Sequence, residues 1–177
     1  LIVAGADIPK GKTSHTPATL VDFFPTIVDA AGAANETSSD LPGTSLIDLT
    51  NAADDPARIA FSEYHAANSP SGSFMIRKGK YKYIHYVGFE SELFDLEADP
   101  EEVTNLAGNA DYRDTVREYD AMLRNIVDPE DVDRRANAAQ KALVEAAGGP
   151  DAVMANLVTT KHYTPVPDDI DAELRKG

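Results

Sequence analysis

The chain has 177 residues and carries 16 Lys and Arg against 30 Asp and Glu, which gives a net charge of −14 at neutral pH. Nucleic acids and anionic membranes are bound by basic surfaces, so this acidity argues against either as the main partner. The chain contains no cysteine, which excludes disulfides, thiolate metal sites and cysteine nucleophiles within it. A cysteine-free chain is compatible with the cytoplasm, which we favour, and does not exclude the periplasm.

A short apolar run, Leu1-Ile2-Val3, opens the chain. Such a run is typical of a buried strand in a parallel sheet, where other elements must cover both faces. We therefore expect the chain to be the carboxy-terminal part of a larger protein. A processed or trimmed N-terminus is the alternative.

A helix is predicted next, because Thr16 and Pro17 form a hydroxyl N-cap followed by proline at the first helical position. Its wide apolar face ends at Gly32, a residue typical of helix ends. Pro25 lies inside this pattern and predicts a helix in two pieces. Asp22 would cap the second piece, whose first turn can hold the proline without losing a hydrogen bond.

Short strands are predicted from residue 58 onward, after an irregular connection over 33–57. Alternation along the third predicted strand places Tyr81, Tyr83 and His85 on one face. Because a small antiparallel sheet needs a cover, an amphipathic helix over 112–127 is expected to pack on it. The predicted strands are 59–64, 74–77, 80–86 and 92–96, and glycine joins the second to the third as a hairpin.

The last third of the chain predicts a helical and partly extended tail. One helix begins at Asp128-Pro129, a short one begins at Pro150, and residues 159–177 read as extended. The first of these helices has a narrow apolar stripe. It packs either on its own domain or on a neighbouring subunit, which makes a homo-oligomer through residues 128–177 one hypothesis.

Motifs that carry chemistry are absent from the sequence. Neither a phosphate-binding glycine loop nor a GxSxG or HExxH pattern occurs, and the four histidines lack the spacing of a helical zinc site. The acidic segment 90–102 lacks the glycine and terminal glutamate of a calcium loop and reads as a solvated face. The basic residues of the hairpin are expected to pair with that acidic segment. No catalytic or metal-binding residue is therefore assigned.

His65 is the strongest candidate for a functional side chain. It lies at a predicted strand end before a Ser/Pro/Gly loop, a position where functional residues gather. Glu63 is two residues away and shares its face of the strand. The alternative is a core histidine paired with a glutamate for structural reasons.

Three segments of the chain occur in a consistent order over about residues 1–126. They are the opening run with TLVDFFPTIVDAAG (19–32); LPGTSLIDL (41–49); and FSEYH (61–65) with MIRKGKYKYI (75–84) and ELFDLEADPEEVTNL (92–106). Together they resemble the carboxy-terminal part of the sulfatases, in the alkaline-phosphatase-like superfamily. The Ser-Glu-Tyr-His run and the basic hairpin are most similar to the choline-sulfatase branch.

The resemblance implies an α/β fold, which in this segment alone is α+β. Residues 1–57 would end the main α/β domain with its last strand and helix. Residues 58–127 would form the antiparallel sheet packed by a helix, and residues 128–177 the tail.

Sulfatases hydrolyse sulfate esters with a formylglycine made from Cys or Ser in a Cys/Ser-x-Pro-x-Arg motif, beside a calcium-type divalent metal. Neither form of that motif occurs here, and no metal ligand of the family maps onto this chain. The resemblance therefore implies that the chain alone is inactive. It would depend on the N-terminal part of the same protein as partner and support a pocket for a small-molecule sulfate ester.

In this context Glu63 and His65 would lie on the rim of the substrate pocket, with the loop 66–73. Two alternatives stay open: a non-catalytic interaction module, and a fragment of a phosphonate or phosphate monoester hydrolase of the same superfamily.

Overall fold

A computed structural model describes residues 1–6, 8–33, 42–65 and 69–159. Contacts divide the chain into two units, Leu1–Asp133 and Arg134–Gly177. The first unit contains a helical segment followed by an antiparallel sheet with its covering helix. The second contains most of one helix and all of another.

The helical segment starts with a 3-10 turn, Leu20–Asp22, that continues into helix α1, Phe23–Ala30. Pro25 is the third residue of α1, where no backbone donor is needed, so the predicted division of this helix is confirmed. Gly32 follows with a φ of 69° and ends the helix as expected. A second helix, α2, spans Leu46–Asn51.

Three predictions for this segment are wrong. Residues 1–3 form no strand, and Leu1 and Ile2 are exposed, because the described residues offer no neighbouring strand to pair with them. The helix does not begin after Thr16, whose hydroxyl instead accepts a hydrogen bond from Asp55 N–H at 2.9 Å. The connection 33–57 is not wholly irregular, since α2 lies within it.

Helix α2 has a local signal that the sequence analysis missed. The Ser45 hydroxyl accepts a hydrogen bond from Ile47 N–H at 3.2 Å, which is the action of an N-cap. Leu46 then buries its side chain. Ser45, a residue type favoured at N-caps, was therefore a local signal for the start of α2.

The predicted strands form a four-stranded antiparallel sheet, and its order β1-β2-β3-β4 makes it a meander. The helix α3, Arg113–Ile126, covers one face, and Tyr119 donates a hydrogen bond to the carbonyl of Lys78 at 2.7 Å. The strands are β1 Ala60–Tyr64, β2 Ser73–Lys78, β3 Tyr81–Tyr86 and β4 Glu92–Asp95. The buried core consists of Phe74, Ile76, Tyr83, Leu93, Tyr119 and Leu123.

Two further helices complete the described chain: α4, Pro129–Ala146, and α5, Pro150–Thr159. Asp128 accepts a hydrogen bond from Asp131 N–H at 3.0 Å, which confirms the predicted start of α4. Thr159 belongs to α5, and the rest of the segment predicted to be extended lies outside the described residues. Among the described helices, none is long and apolar enough to cross a lipid bilayer.

Candidate functional site

Glu63 and His65 share one face at the end of β1, as the sequence predicts. The imidazole Nε2 lies 3.8 Å from a carboxylate oxygen of Glu63, within ion-pair distance when the histidine is protonated. The Glu63 side chain is 43% exposed and that of His65 19%. This pair can therefore present a carboxylate to a ligand, with the imidazole behind it.

The His65 ring rests on the first residues of β2 and on the loop before it. It meets the Phe74 ring edge-on, with centroids 5.1 Å apart. Gly72 is buried directly beneath, and a Cβ added there would lie 2.8 Å from both Cε1 and Nδ1 of the imidazole. Only glycine leaves space for the ring in this position. Residues 66–68 of the loop lie outside the described residues.

Gly72 is held on both sides by hydrogen bonds. Its N–H donates to the Asp133 carboxylate on α4 at 2.5 Å, and its carbonyl accepts from Val87 N–H at 3.1 Å. Asp133 was not predicted to take part in the site. It lies 61 residues from Gly72 in the chain, so no local pattern could indicate the contact.

His85 belongs to a cluster of charged groups between β3, α3 and the start of α4. Its Nδ1 lies 3.8 Å from Asp120 and its Nε2 3.7 Å from Glu130. Arg124 bridges the two carboxylates, with bonds of 2.8 Å to Asp120 and of 2.8 and 2.9 Å to Glu130. The cluster ties the sheet to both helices.

Burial lowers the pKa of His85, and the nearby Arg124 guanidinium lowers it further, against the opposing effect of Asp120 and Glu130. The hydrogen bonds from Arg124 bring the pKa of Glu130 to about 2. Since its pKa lies below the usual value, the imidazole is mainly neutral at pH 7, while Glu130 stays charged. The i,i+4 spacing of Asp120 and Arg124 was a local signal for part of this cluster.

Asp22 is a buried carboxylate that holds three separate segments together. Its side chain is 0% exposed and accepts hydrogen bonds from Thr19 N–H at 2.7 Å, Thr44 N–H at 2.9 Å and the Arg58 guanidinium at 2.7 Å. Although Asp22 stands at the N-cap position of α1, its side chain does not cap that helix. The predicted capping role is therefore wrong.

The environment of Asp22 favours its charged form. Burial raises its pKa, but the Arg58 hydrogen bond and the two backbone donors outweigh burial, so the pKa lies below its usual value. Arg58 also donates to the carbonyl of Pro17. These contacts explain why Thr16 and Pro17 stay outside the helix: they belong to the junction with the segment before β1.

The acidic segment 90–102 is partly buried, which corrects its reading as a solvated face. Asp95 is buried and accepts hydrogen bonds from the N–H groups of Glu97 and Ala98, both at 3.1 Å. Asp99 accepts from the N–H groups of Val103 and Thr104 at 3.2 and 2.8 Å. These carboxylates shape the chain reversal after β4.

Asn105 completes the reversal. Its side-chain oxygen accepts from Leu93 N–H at 3.1 Å and from Ala107 N–H at 2.9 Å. The next residue, Leu106, donates its N–H to the carbonyl of Leu93 at 2.8 Å and so extends the pairing of β4. This part of the sulfatase-like motif is a folding device.

Two of the four basic residues in the hairpin pair with the acidic segment, so the predicted pairing is confirmed for Lys80 and Lys82. Lys80 lies 2.6 Å from Asp95, and Lys82 lies 2.5 Å from Glu102. The Asp95 hydrogen bond raises the pKa of Lys80. Lys80 and Lys82 are therefore engaged in ion pairs, while Lys78 contacts the sulfur of Met122 at 3.7 Å.

The described residues do not fit the metal site of the sulfatases, and the sequence lacks the motif from which formylglycine is made. Within residues 1–6, 8–33, 42–65 and 69–159, no group of three or more His, Asp or Glu is placed to hold a metal ion. The chain has no cysteine, and no Ser-x-Pro-x-Arg occurs. We therefore assign no chemical step to this chain through either group.

The fold is that of the sulfatase carboxy-terminal region: a four-stranded antiparallel sheet with a covering helix, preceded by a helical segment. A family profile described as "N-sulphoglucosamine sulphohydrolase, C-terminal" matches residues 1–128. The chain belongs to this sulfatase family.

Curated relatives and solved structures agree with this assignment. Arylsulfatase K of Danio rerio is 32% identical over 149 residues, which cover 80% of this chain and 28% of the relative. Choline-sulfatase of Rhizobium meliloti is 38% identical over 110 residues, 62% of this chain and 21% of the relative. A protein solved in complex with its substrate D-glucosamine-2-N,6-O-disulfate is 32% identical, with a TM-score of 0.50 over 59% of this chain and 23% of that one.

The chain thus spans between a fifth and a third of the length of the relatives it matches. The match to choline-sulfatase agrees with the branch that the Ser-Glu-Tyr-His run suggested. The arylsulfatase K relatives match over a longer stretch, so the resemblance is not confined to that branch.

Proposed function

We propose that this chain is the carboxy-terminal portion of an enzyme that hydrolyses sulfate esters. In this proposal the chain carries neither nucleophile nor metal ligand and is inactive alone. It supports the fold and part of the pocket rim. The family match over residues 1–128 carries the proposal.

The proposed partner of this chain is the N-terminal part of the same protein. Apolar side chains on the 3-10 turn and α1 are exposed, with Leu20 84% and Ile27 64% accessible. Leu1 and Ile2 line the same open cleft of about 620 Å³ as Leu20 and Phe23. An exposed apolar face of this extent favours burial against another element. A sheet contributed by the N-terminal part is the element that fits it.

The activity is tested with the full-length protein that contains this chain and with the 177-residue chain alone. We expect the full-length protein to release sulfate from 4-nitrophenyl sulfate and the isolated chain to release none. Preference for 4-nitrophenyl phosphate or a phosphonate monoester would favour the phosphomonoester alternative. An activity in the isolated chain would contradict the proposal.

The proposed role of Glu63 and His65 is to select substrates at the pocket rim. The exposed carboxylate of Glu63 and the imidazole 3.8 Å behind it can contact the alcohol part of a sulfate ester. The cofactors implied by the family, a divalent metal and formylglycine, would come from the N-terminal part. Nothing in this proposal gives either rim residue a step in bond cleavage.

The rim role is tested by His65→Ala in the full-length protein, assayed against several sulfate esters. We expect KM to change by different factors for different esters, with kcat retained. Ser62→Ala is the matched control, because Ser62 is exposed on the same strand and faces the opposite side. Unchanged kinetics across all esters would refute the rim role.

A homo-oligomer through residues 128–177 stays a proposal. Leu143 on α4 is 71% exposed, which is consistent with a stripe that packs against another copy. Light scattering after size exclusion of the full-length protein tests it, and a monomer that persists at all concentrations would contradict it.

A further inference from the structure

Gly72 connects His65 to the first turns of α4. Its backbone is fixed by two hydrogen bonds, to Asp133 on one side and from Val87 on the other. Its Cα leaves no space for a side chain beneath the imidazole. The position of the His65 ring is therefore set by where Gly72 lies, and Asp133 is one of the groups that determine that location.

We propose that Asp133 is a positioning residue for His65, because its carboxylate holds the Gly72 N–H and so fixes the backbone on which the imidazole rests. The inference rests on the proposed rim function of His65. Asp133 touches no substrate in this scheme. It acts through the backbone of the loop.

Two substitutions of Asp133 separate the loss of its hydrogen bond to Gly72 from the loss of its charge. Asp133→Asn keeps a carbonyl oxygen that can accept the Gly72 N–H, while Asp133→Ala removes the acceptor. A charge-assisted bond of 2.5 Å holds the loop more firmly than a neutral one, so the Asn variant keeps the geometry with some loss of strength. A structural role that depended on the charge alone would affect both variants alike.

The kinetic test uses the full-length enzyme and sulfate esters for which His65→Ala changes KM. We expect Asp133→Ala to change KM in the same direction by about three- to tenfold, the range for one hydrogen bond, with kcat unchanged. Asp133→Asn should stay close to the parent enzyme. In a His65→Ala background, Asp133→Ala should add nothing, because the group it positions is gone.

A second readout follows His65 without relying on activity. Diethylpyrocarbonate modifies accessible imidazoles, and mass spectrometry reports the ratio of the His65 rate to the summed rate of the other histidines in the same protein. We expect the ratio to rise at least twofold in Asp133→Ala and to stay unchanged in Asp133→Asn. If Asp133→Ala does not fold, Asp133→Glu replaces it, since one added methylene displaces the acceptor.

The two readouts separate the inference from the function on which it rests. A raised modification ratio with no kinetic effect of His65→Ala would support the positioning and overturn the rim function. An unchanged ratio in Asp133→Ala would overturn the positioning. So would a KM change that is as large in the His65→Ala background as in the parent enzyme.

Discussion

The buried Asp22 carboxylate should dominate the stability of the helical segment. Asp22→Ala removes the partner of Arg58, whose side chain is only 18% exposed. It also leaves the N–H groups of Thr19 and Thr44 without their acceptor. Removing one member of a buried ion pair costs about 3–5 kcal/mol, most of it from the charge left behind. We expect a loss of that size for Asp22→Ala.

Asparagine should not rescue this site fully. In the native structure one carboxylate oxygen faces Thr19 N–H, and the other faces Thr44 N–H and Arg58. An amide in either orientation turns its NH₂ group toward a donor. Asp22→Asn should therefore lose about 1–3 kcal/mol, the cost of an unsatisfied buried polar group.

Urea unfolding of the 177-residue chain at pH 7 measures these losses. Far-UV circular dichroism is the suitable probe, because the chain has no tryptophan. Glu97→Gln, an exposed carboxylate, is the control and should stay within about 0.5 kcal/mol of the parent. If Asp22→Ala lowers the free energy of unfolding by less than about 1 kcal/mol, the reasoning that Arg58 is left buried without a partner is refuted.

Three shorter predictions follow from other contacts. The pKa of His85 is lowered in the folded state, so as the pH falls the unfolded state takes up a proton at this residue before the folded state does. The free energy of unfolding should therefore keep its full value above about pH 6.5 and decrease as the pH drops below that value. His85→Asn should flatten that part of a urea-midpoint-against-pH curve. Gly43→Ala should lower the free energy of unfolding by more than about 1 kcal/mol, because Gly43 has a φ of +100° and an added Cβ would lie 2.6 Å from the Val21 carbonyl oxygen. Gly108→Ala is the matched control in the same unfolding assay, because nothing lies within 4 Å of a Cβ added there. Asn105→Ala should lose about 1–3 kcal/mol in urea unfolding, because two N–H groups lose their acceptor, and an unchanged midpoint would contradict the role given to this side chain.

The sheet and its covering helix could be predicted because their signals are local. Alternation placed Tyr81 and Tyr83 on one face of a strand, and in the structure this face packs against Tyr119 and Leu123 of the covering helix. These patterns repeat within a few residues and depend on neighbours in the chain. The strand limits therefore came out within two residues of those observed.

The long-range contacts could not be predicted in the same way. Arg58 lies 36 residues from Asp22, and Asp133 lies 61 residues from Gly72. From the sequence alone, a carboxylate that is exposed to solvent cannot be told apart from one that accepts a hydrogen bond from a residue far away in the chain. The error over residues 1–3 has a related cause, because an apolar run predicts a strand only where another strand is present to pair with it.

The motifs that identify the family are folding devices rather than chemistry. Asp22, Asp95 and Asn105 all lie in the segments that resemble sulfatases, and each satisfies backbone donors inside this chain. Residues with that task preserve the architecture whatever the substrate. In the function proposed above, substrates are selected by side chains that do not hold the backbone in this way. The exposed carboxylate of Glu63 at the end of β1 fits that role, and the imidazole of His65 lies 3.8 Å from it.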